Sequence, residues 1–198
     1  MYKKGFTLAE ILIALTLIGV IAAVTLPGIL GDTQHRDIRA KVQKAYNTLN
    51  NAYSLAYIDH DNAARWASSQ SAVHNMLADQ MKTQNYTQND TFILSSDGIS
   101  YQYTSVSANC SGSVANTGTV PPEDDAQTIT SYCGTMIVNI KGETAAGSFA
   151  DRPGINTFAF YLTDTGFVPY GAKGTNLTAP SLYVTGQVLY DGNFNYLN

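Results

Sequence analysis

Twenty consecutive residues without a charge, Ile11 through Leu30 (ILIALTLIGVIAAVTLPGIL), constrain this chain more than any other feature. At 1.5 Å rise per residue such a helix is about 30 Å long, the thickness of a bilayer hydrocarbon core. Only Thr16 and Thr25 interrupt its apolar surface, so it has no polar face to turn to water. The run therefore reads as a membrane helix. A secretory signal would also place basic residues, here Lys3 and Lys4, ahead of an apolar stretch. Yet Ala22-Ala23-Val24-Thr25 imitates a small-x-small cleavage site poorly, and the apolar run continues past it. Glu10 stands immediately ahead of the run, where a carboxylate is costly unless compensated. The macrodipole of a helix start is one source of that compensation.

After Gly31 the pattern becomes amphipathic. Ile38, Val42, Ala45, Leu49, Ala52 and Ala56 recur at three- and four-residue spacing, with Arg36, Lys41, Lys44, Asn47 and Asn51 elsewhere on the cylinder. The spacing predicts that the membrane helix continues to about Ile58 and that Asp59-His60-Asp61-Asn62 ends it. A second helix is expected over Ala63–Lys82, with Trp66, Val73, Leu77 and Met81 inward. The period then switches to two. Thr91–Leu94 and Ile99–Val106 flank Ser95-Ser96-Asp97-Gly98, an aspartate-glycine hairpin signal. Thr135–Ile140, Asn156–Thr163, Gly166–Val168, Ser181–Thr185 and Gln187–Tyr190 read as further short strands. Helices first and an antiparallel sheet afterwards define an α+β class, with a long N-terminal membrane-spanning helix running into a globular head. The 198 residues suffice for one such domain plus an appendage, and 44% hydrophobic content excludes a disordered chain. With 11 basic against 15 acidic side chains, a generic basic nucleic-acid binder is excluded as well.

Gly5-Phe6-Thr7-Leu8-Ala9-Glu10 followed by the apolar stretch resembles the processing site of the type IV pilin and type II secretion pseudopilin family. The resemblance implies that a membrane peptidase and N-methyltransferase cuts between Gly5 and Phe6 and methylates the new Phe6 amine. Glu10 is then implied as the assembly residue, compensating that amine on a neighbouring subunit and fixing axial register. Pro27 lies where many family members carry a helix-bending proline, and Gly19 also lowers local helix propensity; a bendable helix would let a subunit pass from bilayer to filament. The implied organisation is a leader over 1–5, a transmembrane and filament-core helix over 6–31, and a periplasmic or extracellular head over 32–198. The implied partners are the peptidase, other pilin or pseudopilin subunits, an inner-membrane assembly platform and the lipid bilayer. The amino terminus would be cytoplasmic, although Arg36, Arg39, Lys41 and Lys44 beyond the helix rival Lys3 and Lys4 under the positive-inside rule. The close match covers about residues 1–30; Ile140-Lys141-Gly142 through Phe167-Val168-Pro169 is loosely similar to the strand–loop–strand tail of some members.

Cys110 and Cys133 are the only cysteines, without a CxxC or Cys/His cluster. In an exported chain they form one disulfide, the alternative being two independent buried thiols. The segment they enclose has two prolines and little apolar content, and it is expected to wander without that staple. His35, His60 and His74 lack the spacing of a helical metal pair, and there is no HExxH, GxSxG, P-loop or GxGxxG. Glu123-Asp124-Asp125 and the pair Asp151 and Asp164 could meet calcium, but neither has a recognisable ligand order, and both read as solvated loop charges. Asn85, Asn89, Asn109 and Asn176 head Asn-x-Ser/Thr triplets, unremarkable in an asparagine-rich chain. No metal, cofactor or catalytic residue is expected, nor is nucleic acid an expected partner. The leading reading is a structural subunit of a type IV pilus or pseudopilus. The alternative is a minor pilin acting as a binding module for DNA uptake, adhesion or secreted-protein recognition.

Overall fold

A computed structural model describes Gly5 and residues 7–84, 92–104, 107–116, 127–142, 152–171, 180–182 and 184–197, without the side chains of 26–32, 108, 115, 116 and 127. The chain divides into two compact units, Met1–Asp37 and Ile38–Asn198. Helix α1, Leu8–His60, contributes to both. Within the first unit, Leu8–Thr25 has a mean hydropathy of 2.4 and is long and apolar enough to cross a membrane. Its leucines, isoleucines and valines are exposed all round the helix.

In the second unit α1 shows the expected amphipathic face: Ile38, Val42, Ala45, Leu49, Ala52, Tyr53 and Ala56 are buried. Alanines at 45, 52 and 56 keep that face thin, so the sheet approaches closely and Tyr46 stacks on Phe160 with centroids 5.8 Å apart. The helix ends where Asp61 takes a left-handed φ of 71°, a conformation that only glycine and short polar residues adopt readily. Asp61 also accepts the indole N–H of Trp66 on its carbonyl, at 3.1 Å. The expected second helix is instead two pieces, α2 (Ala63–Trp66) and α3 (Gln70–Gln80). The break has a local cause. Ser69 is extended and its hydroxyl accepts the N–H of Ala72 at 3.1 Å, starting a new helix rather than continuing the old one.

The strands are β1 (Ile93–Leu94), β2 (Ser100–Thr104), β3 (Gly112–Asn116), β4 (Gln127–Asn139), β5 (Thr157–Thr163) and β6 (Gly166–Pro169). They form one antiparallel sheet in the order β1-β2-β4-β5-β6, with β3 also paired to β4. The 13-residue β4 is its spine: β3 pairs with its first half, β2 with its second, and β5 lies along its other edge. Every residue of β5 is buried. Phe158, Phe160 and Leu162 enter the main core under α1. On the other face Tyr161 meets Tyr132 at 5.6 Å and Tyr170 at 4.4 Å, both edge-on. Lys44 on α1 holds the β1–β2 turn through Asp97 at 3.1 Å.

Two expectations are corrected. Ser181–Thr185 and Gln187–Tyr190 are not strands: Val184–Gly186 is a helical turn, α4, and Gln187–Asp191 a wider π-type turn closed by left-handed Gly192. Thr185 accepts the N–H of Ala159 on its hydroxyl at 3.0 Å, and Gly186 N–H donates to the Tyr170 carbonyl at 3.1 Å. The segment thus satisfies sheet groups without adding a strand. The Cys110–Cys133 segment, expected to wander only without its disulfide, is closed by that bond and contributes β3 and the first residues of β4, where no strand is expected from the sequence. Its threonines and valine supply β-branched side chains where large apolar ones are lacking. Thr91, Ser105 and Val106, which completed two expected strands, lie outside the described residues.

Candidate functional site

The α-helix begins at Leu8, and Thr7 is its N-cap. Thr7 N–H donates to Glu10 Oε2 at 2.7 Å, and the Thr7 hydroxyl donates to the same oxygen at 2.8 Å. In return Glu10 N–H donates to Thr7 Oγ1 at 3.3 Å. This is a reciprocal capping box, in which two otherwise orphaned helix-start donors are satisfied by the Thr-x-x-Glu pattern itself. The spacing Thr7-Leu8-Ala9-Glu10 is legible in the sequence, but the compensation expected there for Glu10 is the macrodipole or a neighbour's amine, not Thr7. In the single chain, then, the carboxylate has a local partner.

Gly5 is exposed, and a methyl group added there would meet none of the described residues. Phe6 and the leader residues Met1–Lys4 lie outside the described residues. Gly19 lies within α1, and a methyl group added there would meet nothing; no close packing inside this chain requires it. Pro27 is also within α1, where its missing N–H removes one helical hydrogen bond.

Cys110 and Cys133 are joined by a disulfide across 23 residues. It ties the 3-10 turn Ala108–Cys110 to the middle of β4. There the β4–β5 register shifts between Tyr132 and Gly134, leaving Cys133 as the extra residue of a bulge. Its carbonyl accepts both Ser107 N–H and the Tyr103 hydroxyl, each at 2.7 Å. Tyr103 is wholly buried, and burial pushes its phenol well above the ordinary tyrosine range. Replacing both cysteines by serine should lower unfolding stability by about 3 kcal/mol in the loop-entropy model. A urea titration of the detergent-solubilised chain followed by Trp66 emission measures this.

Of the histidines weighed as metal ligands, His74 is fully buried and its Nε2 accepts the Tyr103 N–H at 2.8 Å. That bond covers the edge of β2 beyond the end of β1. Sequence reasoning missed this role, and also that of Asn50, whose amide donates to the Tyr46 carbonyl and accepts Phe167 N–H from the edge of β6. Among the described residues no group of three or more His, Cys, Asp or Glu could hold a metal ion. Glu123, Asp124, Asp125 and Asp151 lie outside those residues, as do Asn85, Asn89 and Asn176.

Residues 1–26 match the family model described as the prokaryotic N-terminal methylation motif. No curated protein and no solved structure matches the chain. The matched segment contains Gly5, Phe6 and the Thr7–Glu10 capping pair, and it runs into the apolar part of α1. A methylation motif followed directly by an exposed apolar helix supports placing this chain with the type IV pilin-like proteins.

Proposed function

We propose that the chain is a prepilin-like structural subunit, cut between Gly5 and Phe6, methylated on the Phe6 amine and polymerised through α1 into a type IV pilus or a type II secretion-type pseudopilus. The observation that carries this reading is the methylation motif abutting an apolar helix whose large apolar side chains over Leu8–Thr25 are exposed. An all-apolar helix is stable in a bilayer or among copies of itself, and in neither place does it cost exposed hydrocarbon. Cleavage before Phe6 creates an α-amino group close to Glu10. In a stack of identical helices one subunit's carboxylate exchanges its contact with Thr7 for the amine of its neighbour. Neither charge is then left alone in an apolar filament core. Residues 6–31 would form that core and the head its coat, with the amino terminus starting on the cytoplasmic side. The partners are the peptidase and N-methyltransferase, fellow subunits, the assembly platform and the bilayer.

Intact mass and N-terminal sequencing of the membrane-extracted protein, with and without a prepilin peptidase, test this directly. A peptidase-dependent start at N-methylated Phe6 is the expected result. A start near Thr25 would instead make the segment an ordinary secretory signal, and an uncut Met1 a plain membrane anchor.

A further inference from the structure

The outer end of α1, the loop after it and the β5–β6 turn enclose an open cleft of about 590 Å³, within the size range of ligand sites. Its walls are Asn50, Tyr53, Ser54, Tyr57, Ile58, Asn62, Asp164 and Thr165, among them one carboxylate and no cation. Two of the hydroxyl donors here are already engaged. Ser54 gives its hydroxyl proton to the Asn50 carbonyl at 2.8 Å, and Tyr53 gives its phenol proton to the Asp164 carbonyl. Both ends of the Asn50 amide are occupied. Arg65, on the adjoining α2, pairs with Asp61 at 2.9 Å. The acceptors that remain toward the cleft are the lone pairs of Ser54 Oγ and the Asp164 carboxylate, the only charge in its walls. The rim is different in kind. Tyr57 and Ile58 are 50% and 76% exposed there, and the Tyr57 ring lies 6.2 Å from that of Tyr53.

We infer that this cleft binds an arginine side chain presented by a partner polypeptide. A guanidinium has five donors and no acceptor, the complement of a site with acceptors to spare. Its flat face stacks on tyrosine, and its charge opposes Asp164. An exposed tyrosine and isoleucine bordering a polar recess form the kind of surface in which arginine anchors of protein–protein interfaces are seated, with apolar contacts excluding water around the charge. This inference does not rest on the filament reading; it would hold for any exported protein carrying this head.

Trp66, the sole tryptophan, lies 6.1 Å from Tyr53 and serves as an intrinsic reporter. The full-length chain in detergent is titrated with the blocked tripeptide acetyl-Gly-Arg-Gly-amide and with its citrulline counterpart, a neutral isostere. Saturable quenching or shift of Trp66 emission is expected with arginine, about tenfold weaker with citrulline. Asp164→Asn should weaken arginine binding by a similar factor, because the carboxylate side chain has no other partner to lose. Asp79→Asn, which removes an equal charge from the exposed face of α3, should leave binding unchanged. Equal binding of the two peptides, indifference to Asp164→Asn, or no saturation by about 10 mM would overturn the proposal. Free guanidinium binding as tightly as the peptide would overturn the polypeptide source.

Discussion

Glu10→Ala should enter the membrane and be cut after Gly5 like the wild type, while its incorporation into filaments falls by about two orders of magnitude or more. The variant loses two roles at once, because Glu10 both closes the capping box with Thr7 and, in the proposed filament, faces a neighbour's amine. A second variant separates them. Thr7→Ala removes the cap and leaves the carboxylate, so it should loosen the first helical turn yet still be incorporated. Sheared-filament yield alongside the membrane-resident pool measures incorporation, and the mass of the processed chain verifies cleavage in each case. Equal loss for both variants would mean that Glu10 acts only as a helix-start residue.

The second large effect lies in the head. Gly134→Ala should destabilise it by about 4 kcal/mol, through overpacking and the loss of a buried hydrogen bond. A β-carbon at 134 would overlap Tyr103 Oη and Cζ. Tyr103 cannot easily swing away, since it is wholly buried and anchored at both ends: its N–H goes to His74 and its hydroxyl to Cys133. For a domain of this size the loss corresponds to a melting point lower by roughly 8–16 °C. Tyr103→Phe alone should cost about 1 kcal/mol, the worth of the hydroxyl bond. Combined with Gly134→Ala it should cost less than the sum, because one of the overlapping atoms is gone. Strict additivity in thermal melts would show that the glycine is not there to admit the tyrosine.

Much of this fold could be read from the residues. The buried face of α1 follows the seven-residue apolar spacing of Ile38 through Ala56, and β2, β5 and β6 follow alternation bounded by turn residues. Reading failed where neither periodicity nor apolar content carried information. Val184, Thr185, Gly186, Gln187, Val188 and Leu189 are all buried. A segment enclosed on every side shows no polar face, so its apparent alternation, Leu182, Val184 and then Val188, Tyr190, had no bearing on its conformation. The ribbon of β3 and early β4 failed for the opposite reason. Gly112-Ser113-Val114-Ala115-Asn116 holds too little hydrocarbon to signal a strand, and it is the pairing with β4 that orders it. At the N-terminus the motif was plain but the capping pair inside it was overlooked, because Glu10 had been considered against the bilayer rather than against Thr7. The cleft had no sequence signal at all: Asp164, on the β5–β6 turn, is about a hundred residues from Ser54 and Asn62 and meets them only in the fold.

The central position of β4 also governs the order in which the head can close as the chain is delivered. Its partner β2 precedes it, but β5 comes 18 residues after Asn139 and supplies the aromatic floor beneath α1. Val188, Leu189, Phe194 and Tyr196 then complete the same core, and the Tyr196 hydroxyl donates to the Gly154 carbonyl at 2.7 Å. With only residues up to 140 in place, half of β4's length is still unpaired along one edge and α1 lacks the aromatic floor that β5 supplies. Closure therefore waits for residues 157–196. A head built this way remains pliable until β5 and residues 188–196 are in place, and becomes rigid only with them.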